Sequence, residues 1–572
     1  MAMSGMAGNA ATMPALVAER ASSDPAGVIL RRKDRGIWKP VTWGDLAQRM
    51  NAAAAALHAA GIGSGDVVAI LSDTNPAWAT LDLGIQAAGA IAAGINPADP
   101  PAEVARLLRE TGARLLFVEG EAMLDKALEA RGDCPALTRI VIMDMKGLRD
   151  LADPGCESLD AFLARAGSAA PPGVTLDPDA PAVLIPTSGT AGPARAVALS
   201  HRNIQAAIAA AAGPLDVRSA DERLAFLPMC HVIERVLGLY LSLCVGAISN
   251  YVEGVDTVPE NLQELQPTVL IAPPRFWRRL HARIDAASAA ATPVQRWLLR
   301  RTLAAGLARS RGTASAIDRS FLGIGRRPIL APVRRSLGLG RLRRAVFAFG
   351  GVAEAVSDWL HAVGIETAEL YGQTEAGGFG FLVSQAASDD VRLAGDGEIQ
   401  VRGTRVALGY RQGDALAPLA TADGWLCTGD AGEGRGGRLA PAGRLSEGRD
   451  IAAVEAALRS SPYISDAVAV PAGGGFAALV MIDPDTVEPW AQRHKVPFTG
   501  FASLVRAEEV KALVAETVRS ASRSGAGAIR AFRLIEQRYE PGDNELSPVF
   551  APRRALLRER HGDLIAAMLP EA

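Results

Sequence analysis

The chain has 572 residues, of which 49% are hydrophobic, and a formal net charge of -2 at pH 7. This length can bury several cores, which predicts a multidomain globular protein, and the near-neutral charge argues against a protein that coats nucleic acid. The cysteines show no CxxC spacing and no even framework, so neither a disulfide scaffold nor a zinc site is implied. They are Cys134, Cys156, Cys230, Cys244 and Cys427.

The first residues, MAMSGMAGNAATMPA, lack the basic start and the continuous apolar run of a signal peptide. We expect residues 1–15 to form a flexible leader. No apolar run reaches the ~20 residues that a membrane-spanning helix needs. The sequence therefore predicts a cytoplasmic protein.

Helix and strand patterns alternate along the first part of the chain. DLAQRMNAAAAALHAAG predicts a helix closed by Gly61, DVVAIL a buried strand, TLDLGIQAAGAIAAGI a second helix and ARLLFVEG another strand. PAVLIP, RLAFLPM, TVLIAPPR and RAVFAFGG continue the rhythm, which is typical of parallel sheets with helices on both faces. We expect one large α/β domain of stacked layers over residues 16–442.

Two further stretches differ in composition. The region 292–344 is rich in arginine, and we consider two structures for it: a solvated helix pair, or a patch in 296–344 that makes weak contact with an anionic membrane surface. AGEGRGGRLAPAGR, after Asp430, is typical of a hinge or turn. A separate small α+β domain over residues 443–572 is predicted to follow it.

The segment PTSGTAGPARAVALSHRN begins at Pro186, directly after an apolar strand. Small hydroxylated residues and glycines between a strand and a helix allow backbone N–H groups to converge on an anion, most often phosphate. GxxxxGK[ST] does not occur in the chain, so this is not the ordinary P-loop. By itself the segment is equally compatible with a plain turn.

Several other motifs occur in a fixed order along the chain. TSGTAGPARAV resembles the phosphate loop TSGTTGxPKGV of the adenylate-forming enzymes, and LPMCHVIERV resembles a segment of their long-chain fatty acyl-CoA synthetases. QPTVLIAPPRFW, AFGGVA, YGQTEAGG, GEIQVRG, LGY, DGWLCTGD and GR follow in the family's order. The resemblance runs from Trp43 to the C-terminus. It implies the two-domain fold of acyl-CoA synthetases, with a mobile small domain.

The resemblance also implies a site for ATP and Mg²⁺. Tyr371 would stack on adenine, Thr374 would donate to the α-phosphate, Asp430 would accept from both ribose hydroxyls, and Arg444 would hold the ribose or phosphate side at the domain junction. Glu375 would coordinate Mg²⁺, a hard cation that prefers oxygen ligands. The residues expected to cradle the phosphates or to complete the cofactor site are Thr187, Ser188, Gly189, Thr190, Gly192, Arg195, Gly372 and Gln373.

The resemblance places the substrate acid beside the nucleotide. Gly350, Gly351, Gly377 and Gly378 would shape the pocket next to adenine. His231 lies where the family lines its acyl pocket. A single histidine among apolar residues is, however, equally typical of a hydrogen-bonded core residue.

Two departures from the family pattern bear on the reaction. The C-terminal segment NELSPVFAPRR has Ala551 where the family has a lysine that neutralises charge between the acid and the α-phosphate. No lysine follows Lys511, which leaves Arg195, Arg553 or Arg554 as possible replacements. After GRLSEG the chain continues directly into a helix where the family has a hairpin that builds the thiol tunnel, which puts the use of CoA in question.

Three functions therefore remain open. The first is an ATP-dependent ligase that activates a carboxylic acid as its AMP ester and releases pyrophosphate. The second is a diazotase-type enzyme that activates an inorganic oxyanion, nitrite, for transfer to an aryl amine, which would explain both departures. The third is a catalytically inactive, nucleotide-binding relative of such an enzyme.

Overall fold

The computed structural model of the chain describes residues 10–167, 173–187, 193–383, 388–435, 438–446, 448–523, 527–539 and 553–569. Helices begin where the sequence supplies caps: Asp45 N donates to the Thr42 hydroxyl and Thr42 N donates to the Asp45 carboxylate, at 3.1 and 3.0 Å. The α-helices of the large domain in these residues are Met13–Ser23, Trp43–Ala59, Pro76–Ala87, Pro101–Thr111, Glu121–Arg131, Leu159–Ala164, His201–Leu215, Leu241–Val245, Val258–Leu265, Pro274–Ala290, Pro293–Ser310, Ala316–Gly325, Ala331–Ser336 and Glu354–Ala362. The later α-helices are Arg449–Arg459, Pro484–Arg493, Phe501–Arg506, Glu508–Arg523, Arg554–Arg560 and Gly562–Ala566.

Two mainly parallel sheets form the body of the molecule, which confirms the predicted stacked α/β layers. Sheet I has the spatial order Ala415–Ala417, Gly409–Gln412, Ala196–Ser200, Pro181–Pro186, Ile91–Ile95, Val67–Leu71, Ala113–Val118, Arg139–Ile142 and Cys156–Ser158. Sheet II has the order Phe381–Leu382, Glu366–Tyr371, Arg344–Phe347, Val269–Ala272, Glu222–Ala225, Ile248–Tyr251, Val28–Asp34 and Ile37–Thr42. The parallel strands of each sheet end at a common edge, and segments leaving those edges carry the predicted site residues.

Two smaller sheets follow. Sheet III pairs Val391–Leu393, Glu398–Val401, Trp425–Arg435 and Thr421–Ala422, with Arg438–Arg444 hydrogen-bonded to Trp425–Arg435. Sheet IV consists of Ile464–Ala472, Gly475–Ile482 and Ile529–Leu534. The helices after Arg444 pack on sheet IV and give it its own apolar core, which includes Val454, Val480 and Val514.

Part of one predicted helix is a strand. The helix begins at Pro76 and ends at Ala87, and Ile91–Ile95 is a fully buried strand of sheet I, parallel to Val67–Leu71. A continuous run of small apolar residues fits a buried parallel strand as well as a buried helix. The prediction of one uninterrupted helix was therefore wrong.

Two predicted flexible segments are ordered elements instead. Met13–Ser23 is a helix capped by the Thr12 hydroxyl, with Met13 and Leu16 buried, so residues 13–15 do not belong to a leader. Residues 1–9 lie outside the described residues. The glycine-rich stretch after Asp430 forms parts of two paired strands, and Gly432 passes so close to Leu393 and Ile399 that a Cβ would lie 2.5 and 2.7 Å from their side chains. Residues 431–435 and 438–444 are therefore strand rather than the predicted hinge or turn, and residues 436–437 between them lie outside the described residues.

Two expectations from composition can be compared with the described residues. None of the helices formed by those residues combines the length and the apolar character needed to cross a bilayer. The cysteines are unpaired, and Cys134, Cys230 and Cys244 are buried.

Candidate active site

The predicted phosphate loop leaves sheet I at Thr187. Thr187 N donates to the Arg195 carbonyl at 2.9 Å, and Arg195 N donates to the Thr187 hydroxyl at 3.0 Å. These two bonds join the ends of the loop. Ser188, Gly189, Thr190 and Gly192 lie outside the described residues, so their predicted phosphate contacts stay a prediction.

The second part of the site follows strand Glu366–Tyr371 of sheet II. The Tyr371 hydroxyl donates to Asp430 Oδ2 at 2.8 Å, and Gln373 Nε2 donates to the same oxygen at 2.6 Å. Arg444 pairs with Asp430 across the two strands that carry them, and its Nε lies 3.1 Å from Asp430 Oδ1. The structure thus brings together four of the residues that the sequence assigns to the adenosine.

Asp430 holds these groups through one carboxylate. Three donors already occupy most of the roughly four lone-pair positions that a carboxylate offers. Two ribose hydroxyls could bind there only if at least one protein donor moved away. Burial, together with the nearby Asp430 charge, raises the pKa of Tyr371, so the hydroxyl stays protonated and able to donate at neutral pH.

Glu375 lies on the short 3₁₀ turn Thr374–Ala376, which directly follows Gln373. The Tyr410 hydroxyl donates to Glu375 Oε1 at 2.9 Å, and the Arg195 guanidinium lies 3.3 Å from the centroid of the Tyr410 ring. Tyr410 therefore connects the predicted metal ligand to the end of the phosphate loop. A carboxylate oxygen is the type of ligand that Mg²⁺ prefers, so Glu375 is chemically suited to hold such an ion.

Glycines allow the turn after Tyr371 to close. A Cβ at Gly372 would lie 2.1 Å from the Gly378 carbonyl oxygen, and one at Gly377 would lie 2.7 Å from the Ala207 side chain. Gly377 and Gly378 also have φ values of 65° and 86°, which favour glycine. The turn that carries Thr374 and Glu375 thus packs directly on helix His201–Leu215.

His231 is a buried residue just before the N-terminal end of the π-helix Ile233–Tyr240. Its Nδ1 accepts from Ile233 N at 3.2 Å, and its ring meets the Phe349 ring edge to face, with centroids 4.9 Å apart. Burial lowers the pKa of His231 to about 4. His231 is therefore neutral at pH 7 and lies next to the segment that contains Gly350 and Gly351, while its contact with an acid stays a prediction.

Acid should destabilise the large domain through two buried histidines. Burial lowers the pKa of both His201 and His231 to about 4, below the ~6.5 of an exposed imidazole. The unfolded chain binds protons first as the pH falls from 6.5 to 4, so stability is lost in that window, by about 2 kcal/mol per histidine between pH 7 and pH 5. Urea unfolding of wild type and His201→Gln at both pH values measures this loss. An equal drop in the two proteins would contradict the assignment.

Arginines connect the large domain to the residues that follow Arg444. Arg278 donates to the carbonyl oxygens of Arg459, Ile464 and Ser465 at 2.8, 3.3 and 3.2 Å. Arg279 forms an ion pair with Asp485. The junction thus depends on charged donors from helix Pro274–Ala290.

The three candidate replacements for the family's lysine have different partners. Arg553 lies 3.2 Å from Oδ1 of the buried Asp99 in the large domain, whereas Arg554 pairs with the buried Glu455 within the small domain. Arg195 contacts Tyr410, as described above. Ala551 lies outside the described residues. Arg553 thus contacts the large domain across the junction.

A cavity of about 730 Å³ lies at this junction. Gly350, Gly351 and Glu369 line it on the side of the large domain, together with Arg275 and Arg278. The side chains facing them from the small domain include Arg459, Ser460, Asp466, Tyr539 and Arg554. Burial raises the pKa of Glu369. Gly350 and Gly351 are the predicted nucleotide residues in the described part of the chain that line this cavity, and none of the Asp430 cluster does.

The connection between the two domains is short. Strand Arg438–Arg444 ends four residues before helix Arg449–Arg459 begins. A hairpin with paired strands cannot be built from so few residues. The short connection is consistent with the interpretation that the family's hairpin is missing or severely shortened here, which stays a prediction.

Comparison with known proteins identifies the family. The sequence profile described as AMP-binding enzyme matches residues 17–427. The chain belongs to the AMP-binding enzyme family. A long-chain-fatty-acid–CoA ligase, FadD15 of Mycobacterium bovis, is 29% identical over 97% of this chain and 96% of its own length.

Solved structures share the fold of this AMP-binding enzyme. The adenylation domain of a carboxylate reductase from Mycobacterium chelonae superposes with a TM-score of 0.77 at 18% identity, covering 98% of this chain and 93% of that one. The anthranilate CoA ligase AuaEII in complex with anthranoyl-AMP gives a TM-score of 0.71 at 18% identity, covering 97% and 98%. This AMP-binding enzyme is an ATP-dependent, adenylate-forming ligase that activates an acid, and the α/β fold of acyl-CoA synthetases is confirmed.

The sequence interpretation of this AMP-binding enzyme missed several residues. Tyr410 stands in the quoted LGY motif, but nothing in that motif reveals its hydrogen bond to Glu375. Arg278 and the Asp99–Arg553 pair join segments that are far apart in the chain, so no local pattern signals them. The register of Asp430 against Arg444 likewise depends on the unpredicted strand pair.

Proposed function

We propose that this enzyme activates a long-chain fatty acid with ATP to give a fatty acyl-adenylate and pyrophosphate. The carboxylate oxygen of the acid would attack the α-phosphorus, and the bond to the bridging oxygen of pyrophosphate would break. Mg²⁺, when bound, would neutralise the phosphate charge of this step. Asp430, Tyr371 and Gln373 would hold the adenosine, and Glu375 would hold the metal.

The observation that carries the proposal is the convergence of Asp430 and Glu375 beside the phosphate loop. Asp430 lies on a strand of sheet III and Glu375 on the turn that follows a strand of sheet II. Each accepts a hydrogen bond from a tyrosine, and Tyr410 connects Glu375 to Arg195. The acid is inferred from the FadD15 relative, whose name states that it acts on long-chain fatty acids and CoA.

CoA is proposed as the acyl acceptor on the same ground. The cavity at the domain junction supports this, because Arg275, Arg278, Arg459, Arg538 and Arg554 line it and its volume is within the range of ligand pockets. Arginine is well suited to phosphate groups such as those of CoA. The thiol would reach the adenylate without the hairpin that relatives use.

The test is AMP formation from ATP with fatty acids of increasing chain length, each with and without CoA. Aryl acids, and nitrite with an aryl amine, serve as the comparison substrates. We expect AMP with long-chain acids and acyl-CoA when CoA is present. AMP formation that does not depend on CoA and yields no thioester would contradict the proposal that CoA is the acceptor. Turnover of only an aryl acid or nitrite would contradict the proposal that the substrate is a long-chain fatty acid.

The comparisons support neither of the two other functions considered from the sequence. The FadD15 relative is named as a long-chain-fatty-acid–CoA ligase, and Asp430 and Glu375, which the proposal uses, have their tyrosine partners in the described part of the chain. ATP binding without turnover of any substrate in the assay would favour the inactive relative.

A further inference from the structure

Helices Pro293–Ser310 and Ala316–Gly325 form a helical hairpin on the surface of the large domain. The hairpin lies within the connection between two neighbouring strands of sheet II, Val269–Ala272 and Arg344–Phe347. Only one side of its first helix is used for packing. Thr302, Ala305 and Gly306 are buried there, and a Cβ at Gly306 would lie 2.0 Å from the Ala362 carbonyl oxygen.

The other side of the hairpin is apolar and exposed. Val294, Trp297, Ile317 and Ile324 are 68%, 57%, 62% and 78% exposed. The other large apolar residues that are exposed in the described chain are scattered over its surface. Ile317, Phe321 and Ile324 have the i, i+4, i+7 spacing of one helix face. The Trp297 and Phe321 rings are in edge-to-face contact, with centroids 6.1 Å apart, so the two helices share one apolar surface.

This surface contains a cavity of about 330 Å³. Its lining is mostly apolar and includes Leu298, Ile317, Phe321, Ile324 and Ile329. The volume is at the lower end of the range for ligand pockets, roughly 300 Å³. The cavity opens beside the exposed side chains and offers space for an apolar chain entering from the surface.

The charge around the apolar surface is mostly positive, although Arg311 pairs with Glu354 and Asp358 of the neighbouring helix. Between residues 294 and 335 the sequence has ten arginines, no lysine and a single acidic residue, Asp318, although the whole chain carries a net charge of -2. Arg301 pairs with Asp318. The side chains of Arg300 and Arg309 are exposed and form no ion pair with an acidic side chain in the described part of the chain. Arg300 follows Trp297 by three residues and so lies on the same helix face.

An apolar stripe with Trp and Ile, bordered by exposed arginines, has the composition of a helix that lies in a membrane interface. Nucleic acid would pair with the arginines but would leave Ile317 and Ile324 in water. An anionic bilayer satisfies both features, because its phosphates attract arginine and its acyl region accepts the apolar side chains.

We propose that the helical hairpin docks this enzyme on the surface of anionic lipid bilayers. Trp297, Ile317 and Ile324 enter the interface, and Arg300 and Arg309 contact lipid phosphates. The docking is peripheral and does not depend on which acid the enzyme activates.

Sedimentation of the purified full-length protein with vesicles tests the proposal. We expect binding to vesicles of phosphatidylcholine with added phosphatidylglycerol, weaker binding to phosphatidylcholine alone, and a decrease with added salt. Removing one arginine contact weakens binding about fivefold, so Arg300→Gln with Arg309→Gln should lower the affinity by about 25-fold. A triple variant, Trp297→Ser, Ile317→Ser and Ile324→Ser, should lower it at least tenfold.

Ile37→Ser is the matched control, because Ile37 is 65% exposed but lies on sheet II away from the hairpin. All variants change exposed side chains and should keep the urea midpoint of wild type. Absence of vesicle binding by wild type, or unchanged binding by the triple variant, would overturn the proposal. Wild-type dimers that the triple variant abolishes, without vesicle binding, would assign the surface to a second copy of the chain instead.

Discussion

AMP formation by the Glu375→Gln variant is expected to be about 100- to 1,000-fold slower than by wild type at saturating ATP. Glutamine keeps the size of the side chain and an oxygen that can accept from the Tyr410 hydroxyl, but it lacks the negative charge that holds a divalent cation. The removal of one charge-stabilising group of this kind typically has an effect of that order. The rate of AMP formation over a range of Mg²⁺ concentrations is the measurement.

Tyr410→Phe is the control for this prediction. Phenylalanine removes the hydrogen bond to Glu375 but keeps the carboxylate and a ring beneath the Arg195 guanidinium. Its rate should fall by no more than about tenfold, because a typical intramolecular hydrogen bond contributes about 0.5–1.5 kcal/mol. Equal losses in the two variants, or a Glu375→Gln enzyme as active as wild type, would show that Glu375 does not hold the metal.

The Arg235→Met variant should lose about 3–5 kcal/mol of stability. Arg235 and Asp82 form an ion pair whose two side chains are fully buried. Arg235 also donates to the carbonyl oxygens of Leu184 and Ala92, in neighbouring strands of sheet I, at 3.2 and 3.0 Å. Loss of the arginine leaves a buried carboxylate without its counter-charge, which is strongly destabilising. Urea unfolding followed by circular dichroism measures the change.

Arg519→Met provides a matched comparison for the buried pair. Arg519 pairs with Glu516, and both side chains are 62% exposed, so this loss should not exceed about 1 kcal/mol. A second variant, Asp82→Asn with Arg235→Met, should recover part of the stability because no uncompensated charge remains. If Arg235→Met were no less stable than Arg519→Met, the buried pair would not support sheet I.

The parts of the site that the sequence predicts are those in short motifs directly after a strand. Tyr371, Gln373 and Glu375 follow the end of a sheet II strand, and Thr187 follows the end of a sheet I strand, so strand and motif together give their position. Phosphate-loop residues 188–192 lie outside the described residues, and their contacts stay predictions.

Other features could not be predicted because they depend on distant parts of the chain. Strand Ile91–Ile95 has the small apolar residues of a buried helix, and only its neighbours in sheet I decide its conformation. The glycine-rich strands after Asp430 have low β propensity, and Gly432 packs there against Leu393 and Ile399, which lie far away in the sequence. The Arg553–Asp99 contact joins residues 454 positions apart.

Arg278 binds the small domain through three main-chain carbonyl oxygens. Every residue type supplies such a carbonyl, so substitutions on the small-domain side of these bonds leave the acceptors in place. The only side chain required for this attachment belongs to the large domain. A substitution at Arg459, Ile464 or Ser465 therefore leaves these three acceptors in place as long as the backbone keeps its path, whereas the Arg279–Asp485 and Asp99–Arg553 pairs need a particular side chain on both sides of the junction.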